Sequence, residues 1–160
     1  MQPGQILVAN QSGTYVIKML GDVRLTLCMS FDEFIDNMFA DSGFALVLFD
    51  LSGAEAIDST TLGLMAKISI LGSERRNTTP LVFSTNPSIS RLLESMGFGD
   101  IFDIVHKIDI PEINAQPLPE SGMKEGDVKS KVIAAHRILM DLNDNNRETF
   151  KDLVNVLEND

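Results

Sequence analysis

The chain has 160 residues, 44% hydrophobic and 22% charged, which is the composition of a globular protein with one ordinary domain and an extension. Its formal net charge of −10 disfavours nucleic acid, where Lys and Arg must neutralise phosphates, and disfavours an anionic membrane surface. A basic protein partner is compatible with that charge, although acidity is mostly a solubility device.

The single cysteine, Cys28, excludes an internal disulfide and reads as a small buried apolar residue. Beside two distant histidines it gives no metal-ligand spacing. Met1–Gly4 is not a basic segment followed by an apolar run, and no apolar stretch approaches the roughly 18 residues of a membrane span. The expected location is the cytoplasm.

Ile6–Ala9 and Tyr15–Leu20 are short apolar runs separated by Gln11-Ser12-Gly13-Thr14, which predicts a hairpin. A helix follows. Ser30 and Glu33 have capping-box spacing, Met29 and Phe34 suit a hydrophobic staple, and Phe31, Phe34, Ile35 and Met38 repeat at helical intervals up to Gly43. Phe44–Phe49 is a continuous apolar run stopping at Asp50, as in a strand buried on both faces. Leu51–Ile57 then reads as a connection, and Thr60–Arg76 as a helix with Leu64, Ile68 and Leu71 on one face. Pro80–Ser84 is a short strand. Asn86 and Pro87 open another helix, with Ile89, Leu92, Leu93 and Met96 inward and Gly97 as its stop. Ile101–Val105 is a last strand. Alternating strands and helices after a hairpin predict an α/β domain with a mixed sheet and parallel crossovers over 6–108.

Beyond Ile110 the composition shifts. Pro111, Pro117, Pro119, Gly122 and Gly126 mark a linker. Val128, Val132, Ala135, Leu139 and Leu142 make a narrow apolar seam, and Asn143–Asn146 a turn. Phe150, Leu153, Val154 and Leu157 make a second stripe, so the chain ends in a helical hairpin. The hairpin packs on its own domain or, alternatively, offers a dimer or partner surface. The expected divisions are 1–110, 111–126 and 127–160.

No phosphate-binding loop, dinucleotide cradle or nucleophile elbow occurs, and Gly97 and Gly99 belong to a turn. No cofactor or metal is implied. The region with chemical content follows Asp50, because ligands and partners gather beyond the carboxyl ends of strands in open α/β sheets. Asp58-Ser59-Thr60-Thr61-Leu62-Gly63 places three hydroxyls at a helix N-terminus, where free N–H groups and the helix dipole favour an added anion. Taken singly, Asp58 or Ser59 is an ordinary N-cap, and Thr60 and Thr61 are ordinary first-turn residues.

At these residues the chain resembles the STAS-domain anti-sigma factor antagonists. Phe44–Asp50 followed by Asp58-Ser59-Thr60-Thr61-Leu62-Gly63 is similar to that family's buried strand and its Asp-Ser-Ser-Gly-Leu-Gly helix opening. Gly21-Asp22-Val23, Asn86-Pro87, Gly97-Phe98 and Ile101-Phe102 also match in order. Thr61 departs from the pattern, standing where the family has its first glycine. The likeness covers residues 6–108 and does not reach the helical hairpin.

The resemblance implies a STAS-like fold and a non-enzymatic partner switch. The unmodified protein would bind an anti-sigma factor or a serine kinase of the histidine-kinase-like ATPase type. Phosphorylation of Ser59 would weaken that binding, and a serine phosphatase would reset it. Asp22, Asp50 and Asp58 match acidic positions grouped near this serine, and Thr60, Thr61 and Leu62 extend the partner surface. Ser52 and Thr60 are lesser candidates for the modified group. The alternatives are a non-phosphorylated scaffold or small-anion or nucleotide sensor of the same fold, and a hydrolase using Ser59 with His106 or His136. A hydrolase requires a base within hydrogen-bond reach and an oxyanion site, and no recognisable pattern supplies either.

Overall fold

The computed structural model describes residues 2–110, 114–120 and 124–159. The elements run β1 (Gln5–Gln11), β2 (Thr14–Val23), α1 (Cys28–Ala40), β3 (Leu46–Ile57), α2 (Ser59–Arg76), β4 (Leu81–Phe83), α3 (Pro87–Ser95), β5 (Asp103–Val105), β6 (Gln116–Pro117), α4 (Glu125–Leu142) and α5 (Asp144–Glu158). The sheet has the order β5-β4-β3-β2-β1-β6. Strands β2 to β5 run parallel to one another, while β1 lies antiparallel to both β2 and β6. This is the mixed α/β architecture expected from the alternation of elements.

The leading hairpin forms where its turn residues require it. Ser12 and Gly13 both have positive φ, 53° and 93°, the pattern of a two-residue turn whose twist matches the strands it joins. Asn10 Oδ1 accepts the Gly13 N–H at 3.0 Å. A side chain at Gly13 would also run into the Gly43 carbonyl. The central strand β3 buries Val47, Phe49 and Leu51 completely, and helices α1 and α2 add Phe31, Ile35, Leu62, Met65 and Ile68 to the same core.

Several expectations are corrected. Helix α1 begins at Cys28, not at Ser30, and its N-cap Leu27 has no side-chain cap. Ser30 lies within the first turn, where its Oγ donates to the Leu27 carbonyl at 3.2 Å. Leu27 and Cys28 are 3% and 1% exposed, so tertiary burial sets the start of the helix and overrides the capping-box spacing.

Strand β3 does not stop at Asp50. The connection expected over Leu51–Ile57 is strand, because β2 runs on to Val23 and supplies a ladder from Leu20↔Gly53 to Val23↔Ile57. Register shifts at Lys18/Leu20 and Gly21/Asp22 break the period of two. Leu51, Ala54 and Ile57 therefore turn inward three residues apart and conceal the strand from an alternation test.

The turn expected over Asn143–Asn146 shrinks to Asn143 alone, which caps α5 by accepting the Asn146 N–H at 2.8 Å. Asn146, Phe150 and Val154 form the inward stripe of α5, while Leu153 is 41% exposed and faces outward. The polar segment after Ile110 contributes β6, and Leu118 N donates to Ile6 O at 2.8 Å. Of the residues that mark the predicted linker, Pro111 and Gly122 lie outside the described residues, and Gly126 lies in the first turn of α4.

The hairpin of α4 and α5 packs on the rest of the chain. Lys67 of α2 donates to Asp32 of α1 at 2.7 Å, and Lys131 of α4 donates to the other oxygen of the same carboxylate, so Asp32 ties three helices together.

Candidate functional site

Asp58 fixes the start of α2. Its backbone N–H donates to Val23 O at 3.0 Å, its Oδ2 accepts from Leu25 N at 2.6 Å, and its Oδ1 accepts from Thr61 N at 2.9 Å. One residue thus joins the exit of β2 to the first turn of the helix, and both carboxylate oxygens have partners. Ser59 follows as the first helical residue and is half-buried. Asp22 lies on the neighbouring strand end, paired with Ala56, and accepts from Arg24 Nε at 2.7 Å.

Asp50 lies elsewhere. It is 6% exposed within the sheet, and its Oδ1 accepts from Ser52 N at 3.0 Å and Ser52 Oγ at 2.6 Å. Because β3 stays extended from Asp50 to Ile57, Asp50 and Ser52 stand roughly 20 Å from the start of α2. Of the acidic positions, only Asp22 and Asp58 gather at this end of the sheet.

The side chain that meets Ser59 is His136 of α4, which the sequence offered only as one of two candidate bases for a hydrolase. Its Nε2 lies 2.7 Å from Ser59 Oγ, and its Nδ1 lies 2.7 Å from Val132 O. A carbonyl only accepts, so Nδ1 carries the hydrogen, and in the neutral ring Nε2 accepts from the Ser59 hydroxyl. The ring is 2% exposed and packs edge-on to Phe150 at 5.0 Å. Thr60, Thr61 and Leu62 are also buried, at 3%, 2% and 1%. Helix α4 lies directly on the first turns of α2. A Cβ built on Gly63 would stand 2.7 Å from the Ala135 Cβ and closer still to its carbonyl oxygen, so only glycine permits the crossing.

The residue that sequence reasoning missed is Asp32, although its position among Cys28, Phe31, Ile35 and Met38 on one apolar helix face is a visible signal. Burial by itself would raise this carboxyl, but hydrogen bonds from Lys131 and Lys67 hold it below the usual carboxylate range. Asp32 in turn raises the Lys131 ammonium.

The Ser59–His136 distance is that of a nucleophile and its base, but the surroundings are not those of a hydrolase. The far ring nitrogen bonds the helix's own backbone rather than a carboxylate, and the enclosed ring leaves no approach for a substrate. The N–H groups of Thr61 and Leu62 are committed to Asp58. His106 is exposed after β5, with its Nδ1 2.9 Å from Ser84 O. Among the described residues there is no cluster of three His, Cys, Asp or Glu that could hold a metal ion, and no helix is long and apolar enough to cross a membrane.

No protein-family model matches the chain, and no curated protein sequence matches it. Among solved structures it is similar to an anti-sigma factor antagonist from Mycobacterium paratuberculosis, with a TM-score of 0.55 and 21% sequence identity. The alignment covers 66% of this chain and 88% of that one. At this identity the likeness speaks for a shared fold, which agrees with the STAS-like architecture.

Proposed function

We propose that the chain is an anti-sigma factor antagonist that acts by partner switching, with Ser59 as the switched residue. The observation that carries this reading is the position of Ser59. Its hydroxyl stands at the N-terminus of α2, at the carboxyl ends of β2 and β3, with Asp58 beside it and Asp22 on the adjoining strand. The unmodified protein binds an anti-sigma factor or a serine kinase of the histidine-kinase-like ATPase type. Phosphorylation by such a kinase ends the complex, and a serine phosphatase restores it.

The physical basis is local. A phosphate adds roughly −1.5 to −2 charges. The helix N-terminus stabilises that charge in the free protein. At an interface the same charge must be desolvated beside Asp58 and Asp22. A loss of about 3 kcal/mol is roughly a hundredfold in affinity, which is enough for a switch without refolding.

Titrating Ser59→Ala and Ser59→Asp against the partner tests the reading. The alanine variant should bind and the aspartate variant should bind about a hundredfold more weakly. Equal affinities would overturn it.

The engagement of the Ser59 hydroxyl by His136 favours a second reading, in which the protein is a scaffold or small-anion or nucleotide sensor that is never phosphorylated. Mass spectrometry of the Ser59 peptide after incubation with kinase and ATP separates the two. A binding-competent chain without phosphate would support the scaffold.

A further inference from the structure

The switch face of α2 already has an occupant. Helix α4 presses the Ala135 backbone onto Gly63 and accepts the Ser59 hydroxyl with His136. The means of attachment matter as much as the coverage. On α4, only Ala135 and Leu139 are buried apolar residues, and on α5 only Phe150 and Val154. Ile138, Met140 and Leu142 add partly buried apolar contact, and polar groups complete the attachment. Lys131 reaches Asp32, and Asn146 Nδ2 donates to Met96 O at 2.8 Å, while its bond to Leu139 O at 2.9 Å joins α5 to α4 within the hairpin. Water can replace such contacts when two elements separate, so their net contribution is modest.

We infer that the α4–α5 hairpin is a removable intramolecular occupant of the α2 face, and that phosphorylation of Ser59 keeps it from returning. The inference rests on the reading of Ser59 as the modified residue. In the docked state Ser59 Oγ donates its hydrogen to His136 Nε2 at 2.7 Å, in a part-buried contact between α2 and α4. On phosphorylation an Oγ–P bond forms as the bond between the γ-phosphorus of ATP and its bridging oxygen breaks. ADP leaves, and the hydroxyl proton passes through a base of the kinase to water. The phosphorylated oxygen has no hydrogen left to donate, and its phosphoryl group fills the space that the imidazole occupies. Docking of α4 and phosphate on Ser59 are therefore mutually exclusive.

Two consequences follow for partners. A kinase reaches Ser59 only in molecules whose α4 has lifted. A protein that reads the first turns of α2 must displace α4, so it fits best as an amphipathic helix made like α4. It would place a small residue on Gly63 and a cationic side chain four residues earlier toward Asp32.

The test uses the full chain with phosphoserine incorporated at position 59 during translation, and reads backbone amide exchange by mass spectrometry. An undocked helical hairpin is marginal in water, so its amides lose protection. Exchange across 125–158 should accelerate about tenfold or more while β2 and β3 keep their protection. Ala135→Leu, with Ser59 intact, should give the same pattern by wedging the two helices apart. A phosphoserine chain in which α4 is as protected as in the unmodified protein would overturn the inference. So would loss of sheet protection together with α4 in the phosphoserine chain, because the hairpin would then not be separable. No partner enters this measurement. Release of α4 with no protein distinguishing Ser59→Ala from Ser59→Asp leaves the occupant standing and defeats partner switching. A switched partner with α4 unmoved does the reverse.

Discussion

The sheet with its helices α1 to α3 and the C-terminal hairpin are held in place by different means. The first region closes over wholly buried apolar side chains, among them Ile17, Phe31, Phe49, Met65, Ile68 and Phe98. The second rests on a smaller apolar set, Ala135, Leu139, Phe150 and Val154, and on the buried polar residues His136 and Asn146, with Lys131 reaching to Asp32. Apolar burial of the first kind separates only when the domain unfolds. The second kind combines a smaller apolar area with polar contacts that water can replace, so under the inference above the hairpin separates at lower cost than the sheet unfolds.

The comparison can be broken most forcefully at the core. Phe49→Ala should cost about 3–5 kcal/mol in denaturant unfolding and destabilise both regions together. A loss confined to α4 and α5 would contradict the division. Asn146→Ala removes the donors to Met96 and Leu139, and should cost about 1–3 kcal/mol. Amide exchange should report that loss in the hairpin and leave β3 unaffected.

Lys131→Met is milder, because Lys67 still serves Asp32 and Lys131 is about a third exposed. It should weaken docking by about 1 kcal/mol or less. Acid pH probes the same link. The folded Asp32 carboxyl lies below its unfolded value near 3.9, so its stabilisation is complete above about pH 5 and is lost as pH falls through the folded value. Lys131→Met should shrink that acid dependence, which thermal melts between pH 3 and 6 would measure.

The smallest effect belongs to the core side and is spectroscopic. Burial, then the 2.5 Å hydrogen bond to Asp41, push the Tyr15 hydroxyl up to about 12. Its contribution to stability is therefore whole below pH 10 and is lost as pH rises through that value. Tyr15 is the only tyrosine in the chain, so phenolate absorbance follows it alone. A midpoint near 10 would show that the packing around it is looser than described.

Local chemistry made part of this legible before any coordinates. The Ser12–Gly13 turn, the Asn86–Pro87 start of α3 and the Gly97 stop depend on neighbours in sequence and are found where their residues point, and of the two caps offered for α2, Asp58 or Ser59, it is Asp58 that serves. What stayed hidden depends on distant partners. The length of β3 is set by β2 through a shifted register, and the start of α1 is set by burial of Leu27. Only a choice between His106 and His136 as a hydrolase base could be offered, although Ser59 itself could be singled out. His136 is separated from it by 77 positions and sits in an apolar seam, where a histidine reads as structural. Gly63 and Ala135 were each visible as small residues on a helix, and only the crossing of α2 and α4 makes them a pair.

The two-residue strand β6 also limits how far the hairpin can travel. It anchors Gln116 and Pro117 against β1, with Leu118 bonded to Ile6 O, so only a short stretch of chain separates that anchor from Glu125. Fully extended, those seven steps reach at most about 25 Å. A detached hairpin would remain on a short leash and would return to α2 at a local concentration on the order of millimolar. Any protein competing for Ser59 from solution must overcome that advantage, which makes a covalent mark on the serine a more economical way to hold the face open than binding strength alone.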